Sequence, residues 1–175
     1  MNNMSHKDYT FDDFKIDVYA FNEIADKHKA ATHLDLCKQF SLITEELKEL
    51  ADGLSTNNPV EVLDGVVDVL VTGLGLLQKL EALGFNTQKA LYDTALNNLS
   101  KYPTDEAVAI ESAKVLESKG ETVNVTYNSA YDMFVIKDLQ DKVRKPFNFQ
   151  SNDLSSCIPM FVLSNGFEGY PKHGN

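Results

Sequence analysis

The sequence predicts an all-α protein, a bundle of about five helices, with a small β-hairpin and arm toward its C-terminus. Three observations predict it. Apolar residues recur at steps of three and four along five successive segments, most closed by a helix stop signal. After Gly120 the apolar period shortens to two. The run VEVLDGVVDVLVTGLGLL, residues 60–77, is helix-length and almost wholly apolar, broken by Glu61, Asp64 and Asp68.

The first helix is TFDDFKIDVYAFNEIADKHKAA, with a stripe at Phe11, Phe14, Val18, Phe21 and Ile24 and a capping box of Thr10 with Asp13. The second, HLDLCKQFSLITEELKELADGL, repeats the stripe at Leu36, Phe40, Ile43, Leu47, Leu50 and Leu54. STNNP breaks the chain, and Pro59 suits the first turn of a third helix that runs to 83 and stops at Gly84. NTQKALYDTALNNLSKY reads as a fourth helix, ended near Pro103. TDEAVAIESAKVLESKG reads as a fifth, with Thr104 as its cap and Gly120 as its stop. The hairpin alternates at Val123, Val125 and Tyr127, turns near Asn128-Ser129 and continues through Tyr131 to Ile136.

A chain of 175 residues suits one domain, 1–175. Its helical core spans about 9–119, the hairpin and a basic flap about 120–154, and a tail 155–175. The tail's apolar IPMFVL is expected to dock on the bundle or on a partner chain. The net charge of -10 argues against nucleic-acid and anionic-membrane partners, which call for a basic face. Cys37 and Cys157 form no CxxC and read as free thiols in a reducing compartment. The polar start MNNMSHKDYTFDDF has no apolar signal core, and the longest apolar run is broken by acids. The expected location is the cytoplasm.

The acids interrupting the third helix are the feature in need of explanation. Glu61, Asp64, Asp68 and Thr72 step by three and four and share one stripe, while most other faces are apolar. That helix is expected to lie centrally in a bundle. The second helix has its own row, Glu45, Glu46 and Glu49 in EELKEL. Only a short loop separates the two, so they are expected to pack antiparallel and bring the rows together. Each row by itself fits the solvent face of a surface helix. Facing rows beside a core repel unless countered, and hard divalent cations with oxygen ligands counter them.

LITEELKEL followed by VEVLDGVVDVLVTGLG resembles the all-α nucleoside triphosphate pyrophosphohydrolases, the MazG-like and phosphoribosyl-ATP pyrophosphohydrolase-like proteins. Their signature is EExxE on one helix and an ExxD or DxxxD pair on the next. NNLSK, 97–101, resembles their SNMSK, and DKVRKP, 141–146, their GKVLKP. The likeness covers about 34–154. Asn97 stands for the serine and Asp141 for the glycine, and Asp68 follows the Glu61–Asp64 spacing one turn later.

The resemblance implies hydrolysis of a (deoxy)nucleoside triphosphate between its α- and β-phosphates, in control of nucleotide pools. Several phages encode such enzymes, which would place this one in the host cytoplasm. It implies Mg²⁺, with Mn²⁺ as a substitute, on Glu46, Glu49, Asp64 and Asp68, and Glu45 or Glu46 to activate water. Lys137, Lys142, Arg144 and Lys145 crowd the flap of an acidic chain. With Asn98 and Lys101 they supply the substrate-binding candidates Asn98, Lys101, Lys142, Arg144 and Lys145. Relatives form homodimers or homotetramers. Phosphoribosyl-ATP is the alternative substrate, and a non-catalytic nucleotide- or metal-binding dimer module the alternative class. The histidines His6, His28, His33 and His173 receive no role, and no P-loop is present. Gln39 and Phe40, one or two turns before the acids, are candidates for a base pocket.

Overall fold

A computed structural model describes residues 8–30 and 32–169; His6 and His173 lie outside them. The helices are α1 (Phe11–Ile24), α2 (His33–Ser55), α3 (Pro59–Ala82), α4 (Thr87–Leu99) and α5 (Glu106–Ser118). A hairpin of β1 (Val123–Asn128) and β2 (Met133–Asp138) follows, then a short α6 (Met160–Asn165) flanked by single 3₁₀ turns. The protein is mainly helical with one two-stranded antiparallel sheet. None of the described helices is long and apolar enough to cross a membrane. The chain divides into two compact units, residues 1–87 with 155–175, and residues 88–154.

The helix ends follow local chemistry. Thr10 and Asp13 form the capping box at α1. Asn58 Oδ1 accepts from the Val60 and Glu61 amides at α3, whose first residue is Pro59. Gly84 at φ 85° and Gly120 at φ 84° stop α3 and α5 in a conformation that costs glycine little. Two expectations shift. The α5 cap is Asp105, one residue beyond Thr104, and its carboxylate accepts from the Ala107 amide. Tyr131 lies in the turn, because the hairpin loop runs from 129 to 132, with Asp132 at φ 54°.

In the first unit α1 and α2 both pack on α3. Asn22 Nδ2 donates to Gln78 Oε1 at 3.0 Å, and Gln78 Nε2 donates to the Tyr19 carbonyl at 3.2 Å. The Tyr19 hydroxyl donates to Glu81 at 3.0 Å, and burial together with that bond raises its pKa. Lys79 donates to the carbonyls of Lys27 and Lys29, and burial lowers its pKa. The tail docks on this unit. Cys157 and Val162 are buried, the Asn86 amide donates to the Cys157 carbonyl at 2.9 Å, and Phe167 stacks on Phe85 and His33. Both cysteines are free thiols.

Helix α3 is not enclosed within the first unit. Val60 is 74% exposed and Leu63 68%, and Val66, Val67 and Leu70 also face outward. In the second unit the strand alternation sends Val123, Val125, Phe134 and Ile136 to one face, which packs on α5 and leaves Ile136 0% exposed. Ser112 Oγ, buried in α5, accepts from the Phe147 amide at 3.1 Å and so ties the segment after the hairpin to the helix.

Candidate functional site

Three close approaches set the register of α2 on α3. A Cβ at Gly53 would stand 3.0 Å from Glu61 Cβ, and one at Gly65 would stand 2.9 Å from Leu50 Cα. Gln39 Nε2 donates to the Thr72 carbonyl at 2.9 Å. Positions rising along α2 meet positions falling along α3, so the helices are antiparallel, as their short loop requires. Gly65 and Gly53 let the backbones approach more closely than alanine would allow.

On that register Glu46 and Glu49 share a level with Asp64 and Asp68, while Glu61 lies beside Gly53 nearer the loop. The electrostatics agree. The Glu46 pKa is raised from 4.5 by partial burial, then by the charges of Asp68, Glu49, Glu45 and Asp64. Glu61 is not among these causes. Glu46 and Asp68 are half-buried, and Glu45, Glu49, Glu61 and Asp64 are exposed. Among the described residues no lysine, arginine or histidine forms an ion pair with any of the six acids. Nor do three or more His, Cys, Asp or Glu side chains among the described residues stand together at metal-ligand spacing. The donor set is oxygen alone and carries excess negative charge, which suits a hard divalent cation.

The second unit holds the basic candidates. Lys101 Nζ donates to Asn98 Oδ1 at 2.7 Å, so these two act as a pair on the turn that ends α4. Lys142, Arg144 and Lys145 line a cavity of about 450 Å³ against α5, joined there by Lys119 and Phe149. Lys145 Nζ sits 4.6 Å from the centre of the Phe149 ring. Arg144 is bound to Glu121 and, at 3.4 Å, to Asp138. Asp138 also accepts from the Lys142 amide at 3.0 Å, and its pKa is lowered, chiefly by that bond.

Gln39 is tied to the α3 backbone and Phe40 is exposed. Sequence reasoning passed over Gly65 and Lys119. A glycine inside a helical pattern is the signal that marks the first, and a cation at the α5 C-terminus marks the second. Comparison with protein-family models, with curated proteins and with solved structures finds no match.

Proposed function

We propose that the chain is a Mg²⁺-dependent nucleoside triphosphate pyrophosphohydrolase of the MazG-like kind. The observation that carries the reading is the antiparallel register of α2 on α3, which sets Glu46 and Glu49 level with Asp64 and Asp68 with no paired cation among the described residues. The charges of Asp68 and Asp64 help raise the Glu46 pKa from the other helix. A carboxylate row on the solvent face of a single helix would not raise a neighbour's pKa from a second helix. The motifs EELKE, VEVLDGVVD, NNLSK and DKVRKP support the same reading by their order.

Glu46, Glu49, Asp64 and Asp68 are the residues that would hold the cation. Mg²⁺ bound there, or Mn²⁺ in its place, supplies positive charge for the triphosphate and the departing pyrophosphate. Glu45 and Glu46 orient the attacking water and accept its proton. The raised pKa of Glu46 suits it to the proton-accepting role. The water oxygen bonds to phosphorus as the bridging bond between the α- and β-phosphates breaks, leaving monophosphate and pyrophosphate. In the second unit, taken by itself, Lys101, positioned by Asn98, and Lys142 and Lys145 are the candidates for binding phosphate oxygens. Arg144 shapes the flap through its two carboxylate partners and contributes charge there.

The exposed side of α3 favours a second copy. Burying Val60, Leu63 and Leu70 stabilises an assembly by roughly 1.5–3 kcal/mol for each side chain fully covered. The proposed state is a homodimer or homotetramer, and a monomer in sedimentation at micromolar concentration would contradict it.

The test is a panel of standard and modified nucleoside triphosphates, with phosphoribosyl-ATP included, assayed for pyrophosphate and monophosphate in Mg²⁺ and then in EDTA. Metal-dependent pyrophosphate release is expected. A folded, Mg²⁺-binding sample that releases none from any of them would favour the non-catalytic module.

A further inference from the structure

The face of the hairpin turned away from α5 departs from its expected pattern. On β1 it carries Asn124, Thr126 and Asn128, polar as a solvated face requires. Opposite them β2 places Met133, Val135 and Lys137. Met133 and Val135 are only partly exposed. They line a cavity of about 630 Å³ together with Leu99 and Tyr102 from the end of α4 and Tyr131 from the hairpin turn. That volume falls within the roughly 300–1,000 Å³ of small-molecule sites.

The lining has a definite chemistry. Its body is apolar and aromatic, with two tyrosine rings. Its polar groups are few and of both kinds: Lys137 Nζ and Asp141 Oδ1, 2.8 Å apart, and Asn128. The Asn128 side-chain oxygen accepts from the Ala130 amide at 3.1 Å, which leaves its NH₂ as the group to offer a ligand. Val143 is shared with the lysine-lined cavity of about 450 Å³. Leu99 and Tyr102 lie on the same turn as Asn98 and Lys101, the Tyr102 amide donating to the Leu99 carbonyl at 3.0 Å. A planar ring with donors and acceptors on its edge, attached to an anionic tail, matches this arrangement.

We propose that the cavity of Leu99, Tyr102, Tyr131, Met133 and Val135 holds the base of a nucleotide. The choice of occupant rests on the nucleotide-hydrolysing reading given above. The tyrosines stack on the ring, Asn128 and the Lys137–Asp141 pair meet its polar edge, and the neighbouring lysines take the phosphates.

The experiment measures binding of the four common nucleosides, which carry no phosphate, to the full chain by calorimetry. Inorganic triphosphate is titrated in parallel. At least one nucleoside is expected to saturate. Tyr131 is 75% exposed in a turn, so Tyr131→Ala spares the fold; it should weaken that nucleoside about tenfold, the scale of one lost stacking partner, and Tyr131→Phe should not. Val135→Trp should block the nucleoside and leave inorganic triphosphate binding unchanged. Absence of saturable nucleoside binding, or wild-type binding by both Tyr131→Ala and Val135→Trp, overturns the proposal. So does a loss of self-association in Val135→Trp with nucleoside binding intact, which would assign the cavity to a second copy. Pyrophosphate release is measured on the same samples. Release without nucleoside binding removes the base pocket and leaves the hydrolase reading. Nucleoside binding without release from any triphosphate removes the hydrolase reading and leaves the pocket.

Discussion

The two units treat charge in opposite ways. In the unit of residues 88–154 several charges are matched: Arg144 lies between Glu121 and Asp138, Lys137 on Asp141, Lys89 on Asp93 and Lys114 on Glu111. In the helix pair α2–α3 the acids face one another instead, and the Glu46 pKa is raised, first by burial and then by the charges of Asp68, Glu49, Glu45 and Asp64. Matched charges stabilise a surface modestly and ask for nothing further. Unmatched like charges on packed helices cost stability unless a ligand offsets them, and that cost is the ground on which the proposed cation site rests.

The largest expected effect comes from breaking the acidic side. Asp68→Asn and Glu49→Gln should each lower pyrophosphate release at least about a hundredfold, the scale of losing a group that acts on transition-state charge. Far-ultraviolet circular dichroism should stay that of the wild type. Activity retained in both variants would sink the metal assignment.

Next is the packing that brings the acids together. Gly65→Ala puts a methyl group 2.9 Å from Leu50 Cα, a backbone atom that cannot swing aside. It should lower unfolding free energy by about 1–3 kcal/mol in urea, as overpacking does. Release of pyrophosphate should fall with it, since the register of the acids depends on that contact. Wild-type stability would mean the helices can separate freely.

The comparison predicts opposite signs for two charge removals. Arg144→Gln breaks two ion pairs, and the melting midpoint should fall by roughly 2–4 °C. The bonds to Asp138 hold its pKa below 3.8, so their stabilisation is present above that pH and is lost as pH falls through the lowered value. Glu46→Gln should instead raise the midpoint by roughly 1–3 °C at pH 7 without divalent cations. Its raised pKa means the folded state binds the proton more tightly than the unfolded one. The protein's stability is therefore greatest below pH 4.5 in this respect and declines as pH rises through the raised value. The gain in Glu46→Gln should vanish at pH 4, and a gain of equal size at both pH values would refute the like-charge account.

The helices were legible because each carries an apolar stripe and its own end signals, as at Thr10, Pro59, Gly84 and Gly120. The acid rows were legible for the same reason, since spacing alone puts Glu46 and Glu49 on one face and Asp64 and Asp68 on another. What spacing does not contain is the partner at long range. Arg144 read as a free cation of the flap, and only the fold sets Glu121 beside it. The extended turn that takes Tyr131 out of the strand depends on a left-handed Asp132, which looks in sequence like any turn acid. The central position expected for α3 rested on its apolar faces, and those faces are left bare by this chain's own described helices at Val60 and Leu63.

The most direct test is a Mn²⁺ titration of the nucleotide-free protein followed by electron paramagnetic resonance, comparing wild type with Glu46→Gln and Asp68→Asn. Saturable binding in the wild type that is lost or weakened at least about tenfold in each variant is the predicted result. Binding equal in all three proteins would contradict a cation site between α2 and α3.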